Sequence, residues 1–571
     1  MKRLLLLAVT VAAVLALPAT AWAHAVLLRT MPAASVTVDA PPRQLSLTYS
    51  EAVEPRFAIV SVTDAAGRGQ TAGPPRRSAA SPDTLESPLK RLAEGWYLVF
   101  WRAISADGHP VRGAFTFAIG PNAGPAPQFV IPSISETAAT PQLLVARWMV
   151  FLSLMAAVGL FVLRMATARP LVRRVAGSRL RAVSIAFWIA ITVALVATPV
   201  YVLLATAQFS LRSAFDVGAL VPLVRVSGFG RGYLDLEFVL ALFAVAAAVA
   251  LWVDRPERET RSVAELLAGA GAYLAAGAVL LVPGLAGHAA QTSPRGLSLM
   301  LDWLHLAAGS IWVGGLVGVL VLWRSLPAAR RTAGLGVAVP RFSNTAFVSV
   351  LALIGTGVGA TLIHLPTLGS LYQTSYGKSI LLKVALLLVA MLLGAVNVFR
   401  TKPRLAEGDA AVATSAARLL RRLVSGEVVL VLATIFAAVL LSSLAPPSKA
   451  LAAIGHASGS VGPGPVTRVV EKNGYKIAIR VSPNRAAVPN SFSVEVSRNG
   501  EPVLGAEVTT SFDMLDMTMP RQTYQLSGGA NGLYQRDAPA LVMVGHWGLT
   551  FTITPPHAAP FDVLILDRAN G

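Results

Sequence analysis

The chain has 571 residues, 54% of them hydrophobic, and a mean hydropathy of +0.62, which is too apolar for a water-soluble globular protein and long enough for several domains. Its formal charge of +19 sits mostly in short loops between apolar runs, the distribution of membrane topology rather than of a phosphate-binding face, so nucleic acid is not an expected partner. The absence of cysteine excludes disulfides, iron-sulfur clusters and thiolate metal sites, and leaves His, Met, Asp, Glu and backbone groups as the available metal ligands.

The first 23 residues read as a signal peptide. Met1-Lys2-Arg3 is a basic start, Leu4 to Leu17 an apolar run, and Ala21-Trp22-Ala23 a small-x-small cleavage site. Cleavage there makes His24 the first mature residue, with a free α-amine and an imidazole that together chelate Cu(II) better than an internal histidine.

Residues 24–120 alternate apolar and polar positions at 44–49, 57–63, 95–103 and 113–119, which predicts an N-terminal β-sandwich. Its second histidine lies in Asp107-Gly108-His109. Alone, this reads as an ordinary polar turn. Alternatively, Asp107 and His109 turn a carboxylate and an imidazole toward one point and, with His24, make four N/O donors suited to tetragonal Cu(II). A Pro/Gly/Ala/Ser-rich linker, 121–141, follows.

Residues 142–445 contain eight apolar runs long enough to cross about 30 Å of hydrocarbon, a polytopic bundle of eight transmembrane helices. They are predicted at 142–165, 182–206, 234–253, 264–286, 297–323, 344–364, 379–399 and 424–445. With the first span starting outside, the four cytoplasmic loops carry 5, 3, 4 and 6 Lys/Arg and the three outer loops 3, 1 and 1. That bias agrees with a cleaved signal and a C-terminus outside. The expected location is the cytoplasmic (inner) membrane, multi-pass and in contact with lipid, with both soluble parts on the extracytoplasmic side.

Three histidines fall in this region. His288 ends the fourth span, His305 lies about 12 Å into the fifth, and His364 ends the sixth, so all three belong to the outer half. Polar side chains in lipid usually face a pathway or the bundle interior. His305 with Asp302 one turn away is therefore a candidate transport-path element, with His288 and His364, or else a hydrogen bond between helices. Lys383 and Glu427 fit ion passage or a structural ion pair equally well.

A second linker, 446–465, leads to residues 466–571, where alternation at 475–481, 491–497, 506–512 and 547–553 predicts a C-terminal β-sandwich. It carries Met514, Met517 and Met519, then Met543 and His546. Thioether donors suit Cu(I), and a methionine-rich core edge is the alternative.

Three resemblances organise these observations. His24-Ala25, Pro32, Leu45 to Glu51 and the run from Trp101 through Ser105-Ala106-Asp107-Gly108-His109-Pro110 to Gly113 resemble the CopC copper-binding family, which implies Cu(II) ligation by His24, Asp107 and His109. With only Met31 in this mature segment, the methionine-rich Cu(I) site of some members is not expected. Gly287-His288, Asp302-Trp303-Leu304-His305, Ile311 to Gly315, and Tyr376-Gly377-Lys378 running into Lys383 resemble the CopD family, over most of 142–445, implying copper handling at the inner membrane, most often uptake. The C-terminal methionine segment resembles the YtkA-like family. The function expected is copper binding outside the membrane and copper transport or tolerance through the bundle, with copper as cargo and no enzymatic activity. The alternatives are a copper-dependent oxidase or monooxygenase-like domain tethered to the membrane, or a haem or redox membrane protein. No protein partner is indicated.

Overall fold

The computed structural model describes residues 27–34, 36–104, 110–121, 140–210, 212–226, 228–292, 294–365, 367–373, 375–405, 410–444, 460–486, 488–515, 521–528, 530–542 and 545–570. His24, Asp107, His109, Met517, Met519 and Met543 lie outside the described residues, as does the expected signal peptide. The chain forms two compact units, one of membrane-type helices and one of the β-rich segments.

The N-terminal segment forms two four-stranded sheets. One runs in the order β1 (Leu27–Met31), β3 (Gln44–Tyr49), β6 (Thr84–Pro88), β5 (Arg76–Arg77); the other runs β2 (Thr37–Val38), β8 (Pro110–Ile119), β7 (Gly95–Ile104), β4 (Ile59–Asp64). In β3, Leu45, Leu47 and Tyr49 are buried while their neighbours are not, the period-2 pattern that makes one face of a strand a core face. Tyr49 meets Trp101 of the facing sheet edge-on, with ring centroids 5.6 Å apart. This is the expected sandwich.

Eight long helices follow: α1 (Pro141–Val162), α2 (Arg181–Ser210), α3 (Gly228–Val253), α4 (Val263–Leu285), α5 (Arg295–Ser325), α6 (Arg331–His364), α7 (Ser375–Val396) and α8 (Ala410–Leu441). All eight are long and apolar enough to cross a membrane. Single π-turns continue α1 over Leu163–Thr167 and α7 over Asn397–Thr401. Two helices begin about four turns earlier than hydropathy predicts. The polar start of α6, with Pro340 inside it, is held by burial of Leu335, Ala338, Val339 and Phe342; the first turns of α8 bury Ala413, Ala416, Ala417 and Leu420 while displaying Arg418, Arg421 and Arg422. Such segments are amphipathic, and tertiary packing decides their state.

Helices α1 and α5 are the most buried, and their contact is made of glycine. A Cβ on Gly159 would overlap the Ser310 carbonyl, and one on Gly314 the backbone of Gly159. Gly318, one turn on, abuts Leu163, and Gly315 abuts the Phe342 ring of α6. Small residues four apart let membrane helices approach backbone to backbone.

The C-terminal segment is one sheet in the order β10 (Val466–Lys472), β11 (Tyr475–Ser482), β12 (Asn490–Arg498), β16 (Leu533–Ala538), β15 (Gln522–Gly528), β14 (Glu507–Met514), β17 (Gly545–Thr554), β18 (Phe561–Ala569), β9 (Ser460–Val461), with β13 (Glu501–Pro502) beside β12. The two layers of the sandwich are joined through β15, which pairs with β14 as far as Leu526 and with β16 from Ser527. Asn473-Gly474 turns β10 into β11 with both residues at positive φ, 53° and 78°, the backbone that a tight two-residue hairpin requires.

Asp567 of β18 is 2% exposed and accepts from Asn484 Nδ2 at 2.9 Å, while its Oδ2 and Asn484 Oδ1 have no partner among the described residues. Burial raises its carboxyl to about 6, against the opposing pull of the Asn484 and Arg568 hydrogen bonds and of His546. A folded-state value above the unfolded one makes the stability contribution full at low pH and lost as pH rises through about 6. Asp567→Asn removes that loss and supplies an amide donor for Asn484 Oδ1. It is expected to stabilise this segment by about 1–3 kcal/mol at pH 7.5 and by little at about pH 3, below the unfolded value, measured by amide hydrogen exchange of β17 and β18 at the two pH values.

Candidate functional site

The polar centre of the bundle is built on α5. Asp302 and His305 are three apart and so share a face. Trp303 Nε1 donates to Gly277 O of α4 at 2.9 Å and fixes the rotation of α5. On that side Gly284 leaves room for the carboxylate, since a Cβ there would stand 2.7 Å from Asp302 Oδ2. On the other side His305 lies against α6, where a Cβ added at Gly357 would stand 3.7 Å from its Cε1. His305 is five residues before Ser310, the midpoint of α5.

The His305 ring is held at both nitrogens. Thr356 Oγ1 lies 2.8 Å from Nδ1 and itself donates to Ala352 O at 2.6 Å. A hydroxyl has one hydrogen, so Thr356 accepts from Nδ1–H and the imidazole has its lone pair on Nε2. Lys383 of α7 donates to that nitrogen at 3.2 Å.

Lys383 and Glu427 do not pair with each other. Glu427, 4% exposed, accepts from Asn397 Nδ2 at 2.6 Å, where the π-turn of α7 begins. His364 closes α6: its Nδ1–H donates to Ala360 O at 2.8 Å and Nε2 lies 3.4 Å from Thr292 Oγ1. Thr292 follows directly on the short 3-10 segment His288–Gln291, so the segment carrying His288 and the end of α6 meet. His305 stands apart from them. Among the described residues, no three His, Asp or Glu side chains gather to hold a metal ion.

The described residues nearest in sequence to His24, Asp107 and His109 belong to the N-terminal sandwich. Leu27, three residues after His24, lies opposite Tyr49 in β3. The next segment leads to β4, whose first residue Ile59 lies opposite Arg102. Asp107 and His109 are in the connection between Ile104 and Pro110, the last pair of the β7–β8 hairpin. These anchors all belong to one end of the sandwich.

In the C-terminal segment Met514 is 3% exposed and opposite Trp547, inside the apolar core. His546, the next residue of β17 before Trp547, is exposed, on the opposite face by strand alternation.

Sequence reasoning missed a buried charge network at the far ends of α1, α3 and α4. Arg164 Nη1 donates to Asp254 Oδ2 at 2.7 Å, Arg169 Nε to Asp254 Oδ1 at 3.0 Å, and Arg169 Nη2 lies 3.4 Å from Glu265 Oε1, with the arginines 8% and the acids 1% and 2% exposed. Glu265 also closes a capping box with Ser262. The spacing Ser262-x-x-Glu265 was the available signal.

Residues 27–120 match the CopC domain family, residues 336–441 the Copper resistance protein D (CopD) family, and residues 470–552 the YtkA-like family. The CopD match spans α6 to α8 and is narrower than the resemblance expected from sequence. The Copper transport protein CutJ of Bacillus subtilis (strain 168) is 25% identical over 544 residues, 93% of this chain and 93% of that protein. The Copper resistance protein C of Xanthomonas campestris pv. juglandis is 33% identical over 19% of this chain and 91% of its own length. Protein YobA of Escherichia coli (strain K12) is 35% identical over 17% of this chain and 80% of its own length.

Proposed function

The chain belongs to the CopC family, joined in one polypeptide to CopD and YtkA-like domains, and from this premise we propose that it captures copper outside the cytoplasmic membrane and passes it into its helix bundle, as an uptake or tolerance protein. The observation that carries this reading is similarity along 93% of both chains to a protein named for copper transport. No separate observation favours the oxidase or haem alternatives.

Capture falls to His24, Asp107 and His109 as Cu(II) ligands. Supporting this, the anchors Leu27, Ile104 and Pro110 belong to one end of the sandwich, and three residues of extended chain reach about 10 Å. Two nitrogens from His24, a carboxylate and a second imidazole suit tetragonal Cu(II). The pathway falls to His305 and Asp302, with His288 and His364 nearer the entry. Both β-rich segments are assigned to the extracytoplasmic side on the Lys/Arg bias of the loops. Met514, Met517, Met519, Met543 and His546 are assigned to Cu(I), Met514 reaching a metal when the core around Trp547 opens.

Cells producing the protein are expected to differ severalfold in copper content from cells without it, with more copper for uptake. His24→Ala and His305→Ala should each return the content toward that of cells lacking the protein. If both variants match wild type, the transport reading fails.

A further inference from the structure

Building on the reading of the bundle as a copper path, we propose that Lys383 is a resident cation that occupies the metal-binding nitrogen of His305, and that a metal ion enters by displacing it.

The hydrogen bonds carry the argument. Thr356 commits its only proton to Ala352 O, so it fixes Nδ1 of His305 as the protonated nitrogen and leaves Nε2 as the one available to a metal. That atom faces the Lys383 ammonium at 3.2 Å. An ammonium donates and never accepts, so metal and ammonium cannot share the lone pair. Lys383 is therefore a competitor in place, not a further ligand.

The displaced ammonium has a second seat. Asp302 lies one turn away on the same helix as His305, its carboxylate packed against Gly284 of α4. A four-carbon side chain can swing from Nε2 of His305 toward the Asp302 side of α5. At rest, one ammonium and one carboxylate cancel. Arrival of Cu(I) or Ag(I) adds one charge and of Cu(II) two, and the cost of charge in a low-dielectric interior rises steeply with its magnitude.

The test uses the full chain in detergent micelles, titrated with Ag(I) alone at one pH. The His305-dependent part of binding is the difference between each background and the same background carrying His305→Ala. Lys383→Leu is expected to tighten that part by about tenfold or more, since an ion-assisted hydrogen bond no longer competes. Lys383→Arg should stay near wild type. Lys383→Gln gives the same direction as leucine and serves if the leucine variant fails to remain monodisperse. If His305-dependent binding is present and neither uncharged variant tightens it, the competitor role is overturned while the copper path stands. Weakened binding would make Lys383 a ligand or a structural support and overturns the role equally. If His305→Ala changes nothing in any background, the pathway reading falls and this inference with it.

Discussion

Replacing Asp254 with alanine is expected to lower the stability of the helix bundle by about 3–5 kcal/mol. Its carboxylate is 1% exposed and neutralises two guanidiniums at once, Arg164 at 2.7 Å and Arg169 at 3.0 Å. After truncation Arg169 keeps Glu265 and the carbonyls of Arg255 and Arg258, but Arg164 is left with the Ser184 hydroxyl. The buried group then has a net positive charge with too few acceptors, the costly case for a charge out of water. Asp254→Asn keeps the shape and one acceptor, so it should cost about half as much. Because a buried ion pair gains little over well-packed apolar groups, Arg164→Met with Asp254→Leu should recover most of the loss. The midpoint of loss of helical circular dichroism in micelles titrated with denaturing detergent measures all three. A shift below about 1 kcal/mol for Asp254→Ala would show that water already reaches the network.

Gly314→Ala is expected to abolish copper accumulation and to destabilise the bundle by about 1–3 kcal/mol or more. The added Cβ would overlap the backbone of Gly159, and backbone has no alternative rotamer. The two most buried helices must then separate, which displaces α5 and with it Asp302 and His305. Gly355→Ala in α6 is the control, since a Cβ there meets nothing within 4 Å and alanine is the better helix former. Cellular copper content and the same denaturing titration report both effects. Accumulation retained by Gly314→Ala would mean that the α1–α5 contact does not set the position of His305.

Much of the fold was legible because its signals are local. Leu45, Leu47 and Tyr49 alternate, and the eight apolar runs correspond to eight helices. Strands such as β10 and β15 escaped because most of their side chains remain in contact with solvent, so neither face carries an apolar stripe. The starts of α6 and α8 escaped for a related reason: their burial depends on neighbours distant in sequence. At the site, Asp302 and His305 were evident from helical spacing, but Lys383 came with two equal readings. The packing of α7 gives Lys383 to His305 and leaves Glu427 with Asn397, partners that no local signal indicates. Arg164 and Arg169 lie at the C-terminal end of the first span, where basic residues normally indicate topology, and nothing local distinguishes a solvated arginine from one enclosed by two acids.

The location of His305, five residues before the midpoint of α5, has an electrical meaning. With α5 starting on the outer face, as proposed, five residues place the imidazole about 7.5 Å outside the membrane midplane, so an ion arriving from outside has crossed about a quarter of a 30 Å hydrocarbon layer. One elementary charge moved through the whole potential gains about 2.3 kcal/mol per 100 mV. A quarter of that, about 0.6 kcal/mol, changes occupancy about threefold, and a potential negative inside fills the site. On the proposed path, loading of His305 would thus be coupled to the energised state of the membrane, with no nucleotide-driven step required for that gain.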